Sequence, residues 1–157
     1  MDIQLLLTSK PVLIGLHLGF AILAIDAFLW LLGEVIAGAG SKIRRTIAAS
    51  LGLVGFIMTW IIGGYYYVTY YGPFVKPIIK AGTAPWAHAI AMEAKEHIFL
   101  FLIPMAVTAF FLSRLNADEL KTFGLRPRAV ILLVLIAGIG LSLGLMGYII
   151  SAAARWA

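Results

Sequence analysis

Four long apolar stretches constrain this chain more than any other feature, each near or above the roughly 20 residues needed to cross about 30 Å of hydrocarbon. They run over residues 11–37, 43–71, 86–113 and 129–153. Hydrocarbon offers no partner to a free backbone N–H or C=O, so a spanning segment is a helix or part of a closed barrel. Barrel strands are about 10 residues long and alternate polar with apolar positions. These runs are longer and do not alternate. A water-soluble domain of 157 residues, 62% hydrophobic and 12% charged, also has too little polar surface to hide its apolar side chains. The expected fold is all-α: an integral membrane four-helix bundle, a single transmembrane domain over residues 1–157 with the lipid bilayer as its solvent.

The connections carry turn chemistry. They read Gly38-Ala39-Gly40-Ser41, then Gly72-Pro73 through Gly82-Thr83-Ala84-Pro85, then Asn116-Ala117-Asp118-Glu119 through Pro127. None is long enough for a further domain. The first and third hold Lys42, Arg44, Arg45, Arg114, Lys121, Arg126 and Arg128, whereas the opposite side holds Lys10, Lys76, Lys80 and Arg155. The positive-inside rule therefore places the first and third loops in the cytoplasm and gives an N-out, C-out topology. The net charge of +5 is spent on orientation, so it does not imply a nucleic-acid partner. Trp86, Trp156 and the cluster Tyr65, Tyr66, Tyr67, Tyr70 and Tyr71 fall near the outer interface, where an aromatic belt explains them. The segment before the first stretch has an acid at Asp2, no basic region and no small-residue cleavage motif, and reads as retained and not as a signal peptide. The chain has no cysteine, which excludes thiolate metal sites, Fe–S clusters, covalently attached c-type haem and disulfides as its own properties.

An ionisable group at membrane depth is costly, so it is usually paired, neutral or functional. His17, Asp26, Glu34, His88, Glu93, Lys95, Glu96 and His97 all lie within or at the ends of the apolar stretches. Glu34 and His88 sit near helix ends and read as interfacial. The densest run is Trp86 to His97. At 100° per residue Glu93 and His97 share a face with Trp86, Ile90 and Pro104, while His88, Met92 and Lys95 share nearly the opposite one. The two histidines of this helix thus look different ways. Glu93, one turn from His97, is placed to orient its imidazole, as carboxylates do around metal-bound histidine. The plain alternative is an internally neutralised Glu–Lys–Glu–His patch.

At about 1.5 Å per residue, His17 lies roughly 10 Å and His97 roughly 16 Å below the outer ends of their helices. Gly15, Gly19, Gly63, Gly64, Gly144 and Gly147 occupy the same outer half. As packing motifs, Gly15/Gly19 and Gly140/Gly144 are GxxxG pairs of the kind that lets membrane helices approach closely. As a site, the missing side chains leave a slot for a flat cofactor between two imidazoles.

A four-helix membrane chain with histidines in the outer halves of its first and third helices resembles the small b-type cytochromes, which serve as membrane anchors or quinone-reactive subunits. The resemblance covers the architecture and two histidine positions. It implies one b-type haem, with His17 and His97 as axial ligands and His88 as the alternative on the third helix. It also sets Lys76, Lys80, Lys95 or the tyrosines near the propionates and the six glycines above along the slot. It further implies an electron-transfer subunit of an oxidoreductase complex, with other membrane subunits or further copies of the chain as partners, a quinone as a candidate ligand, and a bacterial or archaeal cytoplasmic membrane as location. Dihaem members of that group need four ligands, and three histidines support only one such haem.

Other readings stay open. His17, His97, Glu93 and Glu96 offer nitrogen and oxygen donors to an iron, zinc or copper ion, in an enzyme or a transporter, although the paired Glu-x-x-His of di-iron bundles is missing. Asp26, Glu34 and the His/Glu cluster form stations of a proton or ion pathway, but Asp26 lies about 180° from His17 on its helix. A structural subunit whose polar residues meet partner chains is the remaining reading.

Overall fold

The structure, a computed structural model, describes residues 4–5, 8–38 and 41–157. Asp2 and the Ala39-Gly40 pair of the first turn lie outside the described residues. The described residues form helices and turns, with no strand among them. Four helices are long and apolar enough to cross a membrane: Lys10–Ala37, Lys42–Ala81, Ala87–Ser113 and Arg126–Arg155.

Local chemistry explains where each begins and ends. Helix α1 (Lys10–Ala37) opens with Pro11 in its first turn, where the missing N–H has no helical partner to lose. It stops at Gly38, whose φ of 62° is the left-handed conformation that favours glycine, and whose N–H reaches Val35 O. Helix α2 (Lys42–Tyr66) starts from Ser41, whose hydroxyl accepts the Arg44 N–H at 3.3 Å.

The second span does not end at Tyr71 as the sequence suggests. It continues through a π-helical stretch, Tyr67–Val75, into α3 (Lys76–Ala81). Gly72-Pro73 reads as a turn because proline lacks an N–H and its ring crowds the carbonyl one turn back. The wider π turn accommodates that ring, and the helix runs on. The third span likewise opens with a π-helical stretch, Ala87–Met92, before α4 (Glu93–Ser113). The loop after it contains a one-turn helix, α5 (Ala117–Thr122), closed by a reciprocal capping box between Asn116 and Glu119. The fourth span is α6 (Arg126–Arg155).

Contacts between distant residues fix the topology. At one end Tyr70 Oη donates to Thr8 O at 2.9 Å, and a Cβ on Gly82 would lie 2.5 Å from the Ala157 Cβ. Thr8 and Ala157 therefore both lie beside the last part of the second span and its exit there. At the other end Arg126 donates to Val35 O and Ile36 O, and Arg45 donates to Leu115 O. We call these the histidine end and the arginine end.

Between helices already in lipid there is no hydrophobic drive, so close packing must hold the spans together. The most extensive pairing is α1 with α2. A Cβ on Gly52 would lie 2.6 Å from the Phe28 ring, and one on Gly55 would lie 2.9 Å from Ala24 Cβ and 3.0 Å from Phe20 O. Ala24, Ala48 and Ala49 are fully buried beside them. The expected GxxxG pairs behave differently. Gly140 meets Ile25, but a Cβ on Gly15, Gly19 or Gly144 would touch nothing within 4 Å.

The main core, including Phe28, Leu31, Phe56, Leu102, Leu133 and Ile136, fills the middle and the arginine half, with Phe28 and Phe56 stacked at 5.5 Å. A smaller cluster of Tyr71, Val75, Ile79, Ala87, Ala91, Ile150 and Ala153 closes the histidine end. Large apolar side chains such as Leu18, Val54, Phe101, Val134 and Leu145 stay exposed around the outside, the pattern of a surface whose solvent is lipid.

Candidate functional site: a polar cluster at the histidine end

His17 projects from α1 against α2. Its Nδ1 lies 2.9 Å from Thr59 O. A carbonyl only accepts, so Nδ1 carries the proton and the Nε2 lone pair is left for another partner. Thr59 Oγ1 returns a donation to His17 O at 3.4 Å. The ring fits because residue 63 is glycine: a Cβ there would sit 2.7 Å from the imidazole.

Lys95, on α4, lies within electrostatic reach of His17. Its Nζ is 3.3 Å from the position a Cβ would take on Gly147. Gly63 and Gly147 thus each accommodate one polar side chain of the cluster.

The second centre is His88. It is 4% exposed, and its Nδ1 is 3.1 Å from Tyr71 Oη. Its Nε2 lies 3.7 Å from Glu93 Oε1. Tyr71 stacks on Tyr67 with ring centroids 5.2 Å apart. Glu93 and Glu96 act electrostatically on both tyrosines, and Lys76 and Lys80 on His88. Tyr71 belongs to one π-helical stretch and His88 to the other. Such stretches displace the chain by a residue relative to a regular helix and recur at functional sites.

The remaining expected site residues fall elsewhere. His97 is exposed on the outside of the bundle beside exposed Glu93, with Trp86 and Ile90 on the same exposed face. Its Nδ1 donates to Glu93 O of its own helix at 2.7 Å. The inward-facing histidine of the third span is therefore His88. Gly64 and Gly144 are exposed, as are Gly15 and Gly19, so these four glycines open outward and do not line an internal slot with Gly63 and Gly147. Among the described residues no three His, Asp or Glu side chains converge as ligands for a metal ion. The ion site expected from His17, Glu93, Glu96 and His97 does not assemble, because His97 turns outward, the Glu93 carboxylate faces His88 and the His17 ring is tied to Thr59.

Glu34 is buried at the arginine end, where it accepts from Trp30 Nε1 at 3.0 Å and pairs with Arg44 at 2.5 Å. Asp26 is exposed on the outward face of α1 together with Gly15, Gly19, Ile22 and Gly33. Thr59 and Tyr71 are functional candidates that the sequence alone does not single out: one is a threonine in an apolar helix, the other one of several tyrosines at an interface.

Comparison with family models, with curated proteins and with solved structures finds no match.

Proposed function

We propose that the chain is a membrane electron-transfer subunit that holds one b-type haem at its histidine end, with His17 on the first span and His88 on the third as axial ligands. The observation that carries this reading is the His17–Thr59 bond. It fixes the ring from Nδ1 and leaves Nε2 as a ligand, the usual way a protein orients a metal-binding imidazole. Tyr71 Oη beside His88 Nδ1 is placed for the same service on the other side. His88 Nε2 faces Glu93 Oε1 at 3.7 Å, so this carboxylate would have to give way to a haem held by the two histidines, which would supply one-electron redox chemistry.

Lys95 lies within electrostatic reach of His17. Its long apolar stem lets the ammonium move toward the interface, where, with Lys76 and Lys80, it offers a cation to the propionates. By the positive-inside count the histidine end faces outward, across what we take to be a bacterial or archaeal cytoplasmic membrane. Asp26 supports the subunit character: a carboxylate on an outward face at mid-depth is costly in lipid, and a helix of a partner chain or a second copy covering Gly15, Gly19 and Gly33 relieves that cost.

The test is the visible spectrum of detergent-purified protein expressed with added haem, oxidised and then dithionite-reduced, with pyridine haemochrome stoichiometry. The expected result is a sharp reduced α-band at about one haem per chain, abolished by His17→Ala and His88→Ala and retained in His97→Ala. A featureless spectrum discards the reading.

A second reading has its own support. Tyr71, His88 and Glu93 form a short chain of proton-exchanging groups, so the cluster suits a proton-accepting station. The apolar core of the arginine half separates the cluster from Glu34, which is paired with Arg44, so such a role is one-sided and not a path across the membrane. Proton uptake by haem-free protein, lost in Tyr71→Phe with His88→Leu, is the measurement that separates it.

A further inference from the structure

The arginine end holds a feature unrelated to the histidine cluster. Arg45 is 1% exposed, yet it belongs to a run of basic residues whose neighbours face solvent. One terminal nitrogen of its guanidinium donates to Leu115 O at 2.8 Å. Its Nε is buried and has no hydrogen-bond partner among the described residues. A buried donor left unpaired on a charged group is among the costlier features a fold carries, and such groups point to an ion or water not among the protein atoms.

Arg45 lines a cavity of about 130 Å³, ample for several waters or one tetrahedral oxyanion. Lys121 and Arg126 line it too, and among the described residues the one carboxylate on its wall is Asp118. Three cations thus face one anion. Arg126 is held in place by its bonds to the last carbonyls of α1, Val35 O at 3.2 Å and Ile36 O at 2.7 Å, so its charge is fixed at the rim and does not swing free. Lys121 is exposed on α5 at the mouth. The arrangement is a buried guanidinium floor beneath a cationic rim, at the level where a membrane helix meets the headgroups.

We propose that this cavity is a binding site for a phosphate-type anion, which reaches Arg45 Nε and is screened from water by the ends of α1, α2 and α5. Arginine suits the role because its rigid, weakly hydrated fork bonds phosphate oxygens even when buried. The phosphate has two natural sources, the headgroup of an anionic lipid or free inorganic phosphate.

The experiment uses the full chain, delipidated in detergent, and titrates it with phosphatidylglycerol, with inorganic phosphate and with phosphatidylcholine, following the thermal unfolding midpoint and bound ligand by native mass spectrometry. Saturable binding of one phosphatidylglycerol per chain, with a raised midpoint, supports the site and assigns its source to lipid. Saturable binding of inorganic phosphate without lipid preference supports it and assigns a free anion. Lys121→Gln, at an exposed position on the cavity wall, weakens either binding several-fold without unfolding the chain. Arg45→Lys, which keeps the charge and loses the fork, weakens it by about tenfold or more. Binding that is absent for both phosphatidylglycerol and phosphate, equal for phosphatidylcholine, or indifferent to both substitutions overturns the proposal.

Discussion

His17 and Thr59 hold each other twice: the imidazole Nδ1 lies 2.9 Å from Thr59 O, and the Thr59 hydroxyl reaches back to His17 O at 3.4 Å. A single residue pair therefore ties the first span to the second in the half of the bundle where polar groups gather. Interhelical hydrogen bonds in membranes are worth about 0.6–2 kcal/mol. His17→Leu is expected to lower stability only by that amount, read from unfolding in detergent, while haem binding is lost completely. A loss of haem that merely tracks global unfolding contradicts a ligand role.

Close approach of α1 and α2 at Gly55 sets a contrast. A methyl there meets Phe20 O and Ala24, which belong to the backbone and stem of α1 and have no room to rotate away. Gly55→Ala is expected to destabilise by about 1–3 kcal/mol. Gly64→Ala, where a Cβ meets nothing, is expected to be nearly neutral. Equilibrium unfolding in mixed micelles checks both.

Removing the Tyr71 hydroxyl leaves the buried His88 Nδ1 without its partner. Tyr71→Phe is expected to cost about 1–3 kcal/mol. Tyr71→Phe combined with His88→Leu recovers part of it, because neither polar group remains to be satisfied. A double-mutant cycle giving no coupling energy rules out a structural dependence of one on the other.

Asp26 is exposed on the outward face of α1. Asp26→Leu is expected to leave the folded monomer intact and to weaken association with partner chains or copies, seen by cross-linking or sedimentation in detergent. Unchanged assembly with unchanged stability places this carboxylate outside any interface.

The four spans are legible in the sequence because their physics is local: hydrocarbon thickness sets their length, and their apolar runs satisfy it. What is not legible is set by partners distant in the chain. Pro73 signals a turn to any local rule, yet the π-helical stretch carries the second span on to Ala81. The GxxxG spacing draws attention to Gly15 and Gly19, while the contacts that bring α1 and α2 together are made by Gly52 and Gly55, three residues apart. His88 and His97 differ in position by little along the chain, and the helical period does place them on different faces. Which face looks inward depends on how the third span packs, so His97 emerged outside and His88 inside. Arg45 is indistinguishable from Arg44 as a topology signal; only the fold buries one and leaves the other to pair with Glu34.

The apolar packing of the arginine half also determines how the molecule experiences voltage. Moving a unit charge through the full membrane field takes about 2.3 kcal/mol per 100 mV. His17 lies only about 10 Å along α1 from the histidine end, so a charge arriving there from that side crosses about a third of the hydrocarbon, roughly 0.8 kcal/mol per 100 mV. The remaining thickness, filled by Phe28, Leu31, Phe56, Leu102 and Leu133, acts as the insulator of a capacitor. A redox or protonation equilibrium at the cluster is therefore set mainly by the solution at its own end and responds only weakly to the membrane potential.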